Sequence, residues 1–205
     1  MKNILFTLGI DEAGRGPLAG PVAIGVVKVH KGHEATLKKL VKDIKGRDSK
    51  KLSPAKREEW FEKIKAFKKQ GILDFHVALV PVQHIDEKGI AHAIRFGMKM
   101  CLRKVKADHT RSFVKLDGSL KAPQEFISQK TIIKGDEKEW IIGLASIAAK
   151  VSRDTYMIRQ GKNALYKPYK LEIHKGYGTK VHRELIVKYG PSSLHRLSFL
   201  KNIVK

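Results

Sequence analysis

Two apolar runs near the start of the chain are separated by a loop rich in glycine and proline, and this pattern constrains the fold most. The runs cover residues 4–10 and 22–29 and are typical of buried strands. Asp11 and Glu12 follow the first run, and behind them the loop holds three glycines, two prolines and Arg15. Because neighbouring strand residues point to opposite faces, we expect the strand to end at Asp11, with Glu12 already in the loop. Two acids beside bare backbone amides predict a place where metal ions meet a phosphate.

The same loop also matches a dinucleotide-binding pattern. Gly14, Gly16 and Ala19 have the spacing of that fingerprint, and Glu34 lies at a plausible distance for a ribose contact. The fingerprint must open a helix whose N-terminus holds the pyrophosphate. Here a second strand-like run follows the loop, and the two acids would repel a pyrophosphate, so we disfavour this interpretation.

The remaining patterns predict an α/β protein. We expect further strands over residues 72–82, 112–116 and 130–134. We expect helices over residues 30–46, 53–71 and 140–161, a longer one after Ile85-Asp86, and another ending near Tyr189. The short loop between the first two strands indicates a mixed sheet rather than a purely parallel one. Since no linker or repeat interrupts the chain, one domain over residues 1–205 is expected, with a helical C-terminal segment from about 162 to 205.

The charge balance points to a polyanionic partner. Lysine and arginine number 42 against 20 aspartates and glutamates, a net charge of +22 in a chain of 205 residues. A general lysine bias would also produce such an excess, but neutralisation of phosphates is the dominant non-specific interaction with nucleic acid. The single cysteine, Cys101, excludes a disulfide framework, and neither a membrane-spanning run nor a signal peptide is evident. We therefore expect a cytoplasmic protein without a membrane partner.

Acidic residues follow three of the predicted strands. They are Asp11 with Glu12, Asp117 beside Gly118, and Asp136 beside Gly135. One aspartate beside a glycine commonly just forms a turn, but three such strand ends are harder to explain in that way. Clustered carboxylates repel one another unless cations share the site, and Mg²⁺ or Mn²⁺ prefers such oxygen ligands. Two ions of this kind can clamp a phosphodiester during in-line attack.

Three polar residues share one face of the helix predicted over residues 140–161. Ser146, Lys150 and Arg153 are four and then three residues apart, so this face either meets phosphates or is solvated. Asp154 is expected to pair with Lys150 across one turn. Tyr177, between two glycines, would by itself be taken as a partly buried loop residue. The nine histidines show no metal-ligand spacing, so no zinc site is expected.

Seven segments match one known family in the expected order. The first, Gly9–Val22, contains the adjacent acids and the glycine-rich loop. The others are Asp48–Ser53, Leu116–Gly118, Lys134–Asp136, Ala145–Asp154, His174–Thr179 and His195–Phe199. This set spans essentially the whole chain and resembles the signature of type 2 ribonuclease H, or ribonuclease HII.

The resemblance implies an RNase H-like fold with a mixed central sheet and a C-terminal helical segment beside the active site. It implies a metal-dependent endonuclease that cuts RNA in RNA–DNA hybrids and incises 5′ of single ribonucleotides embedded in duplex DNA. The ends would be a 5′-phosphate and a 3′-hydroxyl, with two Mg²⁺ or Mn²⁺ ions acting in catalysis. Such an activity implies a role in ribonucleotide removal and in DNA replication and repair.

The same resemblance assigns roles to individual residues. The four acidic positions of the family, which are both catalytic and metal-binding, fall on Asp11, Glu12, Asp117 and Asp136. The motif that senses the 2′-hydroxyl falls on Gly14, Arg15 and Gly16, and the tyrosine that packs on the sugar falls on Tyr177. Further substrate-binding positions fall on Lys50, Ser146 and Lys150. The chemistry of these residues agrees with the assignment, because reading a 2′-hydroxyl requires close backbone groups and Arg15 is suited to a phosphate.

Two other functions would fit parts of the pattern. A non-catalytic duplex-binding protein would use the positive charge alone and would bind without regard to Mg²⁺ or to the acids. A DNA-only nuclease of related fold, such as a junction resolvase, would not need the ribose-sensing residues. For assembly we expect a monomer, and no docking on a sliding clamp, because residues 197–205 lack a glutamine and a paired-aromatic ending.

Overall fold

One mixed sheet of five strands organises the molecule. The computed structural model describes residues 3–42 and 52–203. The strands lie in the order β3-β2-β1-β4-β5, with β2 antiparallel to its two neighbours and β4 parallel to both β1 and β5. They are β1 (Phe6–Ala13), β2 (Val22–His30), β3 (Leu73–Val80), β4 (Ser112–Asp117) and β5 (Gln129–Ile132). The predicted α/β class and mixed sheet are confirmed.

Helices cover both faces of this sheet and continue beyond it. The early ones are α1 (Lys31–Leu40), α2 (Pro54–Lys69), α3 (Val82–Lys88) and α4 (Ile90–Lys104). The later ones are α5 (Gly135–Lys138), α6 (Trp140–Gly161), α7 (Leu171–His174) and α8 (Lys180–Tyr189), with 3₁₀ turns at Lys167–Tyr169 and Leu197–Phe199. Ser53 caps α2 by accepting a hydrogen bond from the Lys56 amide, and Pro54 occupies its first turn, as predicted.

The pairing of β1 sets the position of the first two acids. Its antiparallel ladder with β2 continues to the pair Ala13–Ala23, whereas its parallel ladder with β4 stops at Ile10–Leu116. Glu12 is therefore a strand residue, and the expectation that β1 ends at Asp11 is wrong. The strand persists because β2 continues to pair with it, while its β4 side becomes open at the level of the acids.

Helix α6 lies directly on the backbone of β1 and β2. A Cβ at Gly9 would overlap the Ile141 carbonyl, and one at Gly25 would overlap the Ala145 carbonyl. These two glycines therefore permit a close helix–sheet approach that a side chain would prevent. The apolar first half of α6 is almost entirely buried there together with α2. The approach brings Ser146 to the level of Asp11.

Helix α4 covers the opposite face of the sheet. Ile94, Met98 and Cys101 pack with Ile24 and Val26 of β2 in a continuous apolar cluster. Burial raises the pKa of the Cys101 thiol to about 12, so this residue is a buried thiol, as its helical pattern predicted. With α6 on one face and α4 on the other, the ends of β1 and β4 are held between two rigid layers.

Two predicted boundaries are wrong. The helix expected after Ile85-Asp86 is two helices, because Gly89 at φ +81° breaks the chain between α3 and α4. The strand expected over 130–134 ends at Ile132, and Lys134 turns the chain with a φ of 54° into the one-turn helix α5. Asp136 therefore lies in that turn and not at a strand end.

The C-terminal segment packs against the glycine-rich loop. The Leu18 amide donates to the Gly176 carbonyl at 2.8 Å, and the Gly20 amide donates to the Leu194 carbonyl at 2.8 Å. Ala19 and His195 form an isolated bridge between the same two segments. The loop after β1 is thus fixed by residues more than 150 positions away in the sequence. Among the described residues, no helix is both long and apolar enough to cross a membrane.

Candidate active site

Asp11 and Glu12 occupy the open edge of β1. Asp11 is buried and accepts a hydrogen bond from the Glu12 amide at 2.7 Å, and the Ser146 hydroxyl donates to the same carboxylate. Burial raises the pKa of Asp11 well above its usual range, and the charges of Glu12 and Asp117 raise it further, against the effect of Ser146. The ionised form of Asp11 is therefore unfavourable in the protein alone and would be favoured by a nearby cation.

Asp117 and Asp136 approach the same edge from the far side of β4. The Gly135 amide donates to the Asp117 carboxylate at 2.6 Å, so the turn that carries Asp136 lies against the end of β4. A Cβ at Gly135 would lie 2.7 Å from Cδ1 of Ile142, which is closer than side chains pack. Asp136 is buried and accepts from the Glu137 amide at 3.1 Å. The two later acids are thus joined through one backbone contact.

The donors at this edge match a hard divalent cation. In the described part of the chain, no three acidic, histidine or cysteine side chains converge closely enough to hold an ion as they stand. Each of the four carboxylates is engaged locally: three accept from backbone amides, and Glu12 lies 3.7 Å from the Arg15 guanidinium. Carboxylate oxygens are nevertheless the ligands preferred by Mg²⁺ and Mn²⁺.

The loop after β1 presents two exposed residues beside the acids. Gly14 is buried with φ +84°, and a Cβ there would overlap the guanidinium of Arg153. Arg15 and Gly16 are exposed, and the loop runs on to β2 rather than opening a helix. The dinucleotide-binding interpretation is therefore wrong, since there is no helix N-terminus at this loop to hold a pyrophosphate.

The polar face of α6 divides into two kinds of environment. Ser146 is buried against Asp11, and Lys150 pairs with Asp154 at 2.9 Å as predicted. Arg153 was expected to be solvated or to face phosphates, and neither is correct because its side chain is completely buried. It instead donates to carbonyls of the glycine-rich loop, at Ala19 and Pro21.

Tyr177 stands on the surface next to these groups. It is a loop residue whose side chain is 41% exposed, so more than half of the ring surface is covered while the rest is accessible. Its ring centroid lies 5.4 Å from Nζ of Lys150 and 5.6 Å from Cζ of Arg153. Gly176, with φ +84°, brings this segment so close that a Cβ would overlap the Ala19 carbonyl. Tyr177 and the glycine-rich loop therefore form one continuous surface.

Two residues remain, one that was predicted at the site and one that was missed. Lys50 lies outside the described residues, as does the rest of the segment 43–51. Arg196 was missed as an individual residue, although its segment was quoted for the family resemblance. It is fully buried and donates to three carbonyls of the glycine-rich loop. The available signal was an arginine in a chain that uses lysine for most of its cations.

Comparison with known proteins decides the family. The family model described as Ribonuclease HII matches residues 8–202. The chain belongs to the ribonuclease HII family. A ribonuclease HII from Caldicellulosiruptor bescii is 45% identical over 199 residues, covering 97% of this chain and 88% of the relative. The chain is therefore a ribonuclease H, an endonuclease of the hydrolase class, and the predicted family is confirmed.

Solved structures agree with the fold. The ribonuclease HII in the PCNA:RNase HII complex from Archaeoglobus fulgidus has a TM-score of 0.68 and 26% identity, and the match covers 94% of each chain. Bst-RNase HIII in complex with Mn²⁺ has a TM-score of 0.65 at 17% identity, covering 97% of this chain and 68% of the other. The RNase H-like fold is thus confirmed. Membership of the ribonuclease HII family supports dependence on a divalent metal ion.

Proposed function

We propose that this ribonuclease H cuts the RNA strand of RNA–DNA hybrids and incises 5′ of single ribonucleotides in duplex DNA. The observation that carries the proposal is the position of the carboxylates beside the loop 14–16, at the edge where β1 and β4 end. Asp11 and Asp117 interact electrostatically there, and the loop leaves Arg15 and Gly16 exposed alongside. A phosphodiester whose ribose lies against the loop would thereby lie over the acids.

The four acids are proposed as the ligands of the divalent ions. Asp11, Glu12, Asp117 and Asp136 supply only hard oxygen donors, which suits Mg²⁺ or Mn²⁺, with two ions during catalysis. When bound, such ions would lower the pKa of a water and neutralise charge on the phosphodiester. Attack of that water on phosphorus, with cleavage of the P–O3′ bond and protonation of the departing 3′-oxygen, would leave a 5′-phosphate and a 3′-hydroxyl. Asp11 is the most buried of the early pair, and Ser146 orients its carboxylate by a hydrogen bond.

The neighbouring residues are proposed to bind substrate. Gly14, Arg15 and Gly16 present backbone groups to the 2′-hydroxyl, which is the only local difference between RNA and DNA. Arg15 provides a cation for a phosphate, and the exposed ring of Tyr177 packs on the sugar. Lys150 lies next to that ring and is proposed to contact the backbone of the same strand. Lys50 is also proposed to bind substrate, on the basis of the sequence alone.

A basic groove extends from this site along α4 and supports a duplex substrate. It begins beside Arg15, runs between α4 and the loop after β4, and ends near His109. Only one carboxylate, Glu125, is among its lining residues. Arg15 lies near Glu12, but the other cations that line the groove form no ion pair with a described residue. These cations are Arg95, Lys99, Arg103, Lys106 and Lys121. Unpaired cations in a row are suited to successive phosphates of a nucleic acid.

The biological setting follows from the substrate. Single ribonucleotides in duplex DNA must be excised for an all-DNA duplex to be restored, so we infer a cytoplasmic role in DNA replication and repair. We further infer a monomer that does not dock on a sliding clamp. Leu200 is buried and Asp86 accepts from the amides of Leu197 and Ser198, so residues 197–200 are engaged by the protein itself.

Incision of a DNA duplex that carries one ribonucleotide tests the proposed function. We expect a nick on the 5′ side of the ribonucleotide with Mg²⁺ or Mn²⁺, no nick in EDTA, and an intact all-DNA control. Binding without any nick under either metal would favour the non-catalytic alternative. Cleavage of the all-DNA duplex would favour the DNA-only nuclease.

A further inference from the structure

Two buried arginines take up the carbonyl groups of the glycine-rich loop. Arg153 donates from Nε to the Pro21 carbonyl at 2.9 Å and from Nη2 to the Ala19 carbonyl at 3.0 Å. Arg196 donates to the carbonyls of Gly20 at 2.9 Å, Arg15 at 2.9 Å and Gly14 at 2.7 Å. Both side chains have zero exposed surface. Five carbonyls within eight residues of the loop are therefore turned inward onto two guanidinium groups.

This arrangement is costly, and the described residues contain no carboxylate in an ion pair with either arginine. Burial, together with the neighbouring charge of Arg153, lowers the pKa of Arg196 to about 9. A buried cation is retained only where hydrogen bonds offset the loss of hydration. Here the loop carbonyls supply them, so the loop and the two arginines stabilise each other.

The inward carbonyls leave specific amides facing outward. Amides 18–20 are already bonded, to the carbonyls of Gly176 and Leu194, and residues 17 and 21 are prolines. The amides of Arg15 and Gly16 donate to no described residue, and both residues are exposed. A peptide whose carbonyl is fixed has its amide direction fixed as well. Arg196, which holds the Gly14 and Arg15 carbonyls, therefore fixes the directions of the Arg15 and Gly16 amides.

Arg153 joins this loop to Tyr177. Its guanidinium packs against Gly14 on one side, where a Cβ would overlap Nε, and lies 5.6 Å from the ring of Tyr177. The separation between the exposed amides and the exposed ring is thus determined by one buried side chain. A lysine cannot reproduce this, because its single ammonium group lacks the planar fork of donors.

We propose that Arg153 and Arg196 are positioning residues for ribose selectivity, holding the loop amides and Tyr177 at the spacing of a ribose with its 2′-hydroxyl. The inference rests on the proposed function and extends it to two residues that do not contact substrate. The chemical class recognised is a 2′-hydroxylated nucleotide within a duplex. Selectivity is then set from beneath the substrate surface, by the carbonyl side of the loop.

The test compares Arg196→Lys and Arg153→Lys with wild type in two measurements. The first is kcat/KM for a duplex with one ribonucleotide. The second is the ratio of affinities for that duplex and the matching all-DNA duplex, measured in EDTA so that neither is cut. We expect kcat/KM to fall by about 10- to 100-fold, and the affinity ratio to move towards one, with less than about a twofold change in all-DNA binding. Ile64→Ala, in the separate cluster beneath α2, controls for lost stability and should leave the ratio unchanged.

Each remaining outcome has a defined meaning. If the lysine variants lose thermal stability but keep the wild-type affinity ratio and the wild-type kcat/KM per folded molecule, the proposal is overturned. If wild type itself makes no nick, the proposed function fails before the arginines are considered. Should one lysine variant not fold, the other carries the test, because each arginine holds its own loop carbonyls. Should neither fold, Arg153→Gln and Arg196→Gln, which keep a planar amide donor without the guanidinium fork, must lower the ratio in the same way.

Discussion

Asp11 is buried at a position where its ionised carboxylate is unfavourable in the protein alone. Its carboxylate lies within the influence of Glu12 and Asp117 and is almost inaccessible to water. Such a group destabilises the fold while it is ionised, and a bound cation relieves the cost. If Asp11 is a metal ligand as proposed, stability and activity are opposed at this position, as is common where a site concentrates charges of one sign.

The substitution Asp11→Asn separates these two effects. We expect cleavage of the one-ribonucleotide duplex to fall by about 100-fold or more, since a charged ligand is lost. Affinity for the duplex should change little because it depends mainly on phosphate contacts. The melting temperature should stay equal or rise, because an amide of the same size avoids burying a charge. Steady-state kinetics measure the cleavage and thermal melts measure the stability. Glu62→Gln, at an exposed position on α2, is the control. Retained turnover at ordinary metal concentration would refute Asp11 as a ligand.

Tyr177 permits a second test of a single side chain. We expect Tyr177→Ala to lower kcat/KM for single-ribonucleotide incision by about tenfold, on the scale of a lost aromatic contact with a nucleotide. Stability should be little affected because 41% of the side chain is exposed. Tyr189→Ala is a matched control, since that ring is also exposed and lies on α8 away from the loop. If Tyr177→Ala reduces activity only in proportion to a loss of folded protein, its role is structural.

At the scale of elements, local sequence predicted the scaffold and the acids better than the contacts between distant segments. Strands β1 and β2 and the helices α2 and α6 follow from periodicity and capping, because those signals are carried by neighbouring residues. The break at Gly89 and the turn at Lys134 were missed, since a single residue at positive φ is a weak signal. Arg153 and Arg196 could not be placed on the loop, because their partners lie more than 130 positions away in the sequence.

Two buried histidines of the C-terminal segment, His182 and His195, are linked through their ring nitrogens. Nδ1 of His182 donates to the Tyr177 carbonyl at 2.9 Å, because a carbonyl only accepts, and its Nε2 lies 3.1 Å from Nε2 of His195. Nδ1 of His195 in turn accepts from the Ser192 amide at 2.9 Å. Each ring can therefore carry one proton in this arrangement. Burial lowers the pKa of His182 and of His195 to about 4.

These histidines predict an acid-sensitive C-terminal segment. In the unfolded chain they take up protons near pH 6.5, whereas in the folded protein they resist protonation until about pH 4. Stability is therefore complete above about pH 6.5 and falls as the pH drops from there towards 4, by a few kcal/mol in total. Thermal melts across this range should show a smaller pH dependence for His182→Asn than for wild type. The exposed His33→Asn is the control, and identical slopes in all three proteins would contradict the prediction.

At the scale of the whole molecule, the positive charge is unevenly paired. Several lysines of α2 and its surroundings are engaged by carboxylates, such as Lys63 with Glu59 and Lys65 with Glu62. Apart from Arg15, which lies 3.7 Å from Glu12, the cations along the basic groove are not in ion pairs among the described residues, and the groove opens at Arg15 beside the acids. From Arg95 to Arg103 it follows α4 for about 12 Å, the rise of eight helical residues. Part of the net charge of +22 is therefore arranged in a row that extends from the acids along α4.

Salt dependence distinguishes this groove from general attraction. Binding of a ribonucleotide-containing duplex long enough to cover the groove should weaken with salt, with a log–log slope of about −0.9 for each neutralised phosphate. The double variant Lys99→Glu with Arg103→Glu, one helical turn apart on α4, should make this slope shallower by about 1.8 units. Lys65→Glu with Lys69→Glu changes the charge equally at the same spacing on α2, on the opposite face of the sheet. Anisotropy titrations at several salt concentrations give both slopes. Equal changes of slope in the two double variants would mean that the lysines act through net charge alone. If the duplex binds in the basic groove, the slope must change more when the cations of the groove are reversed.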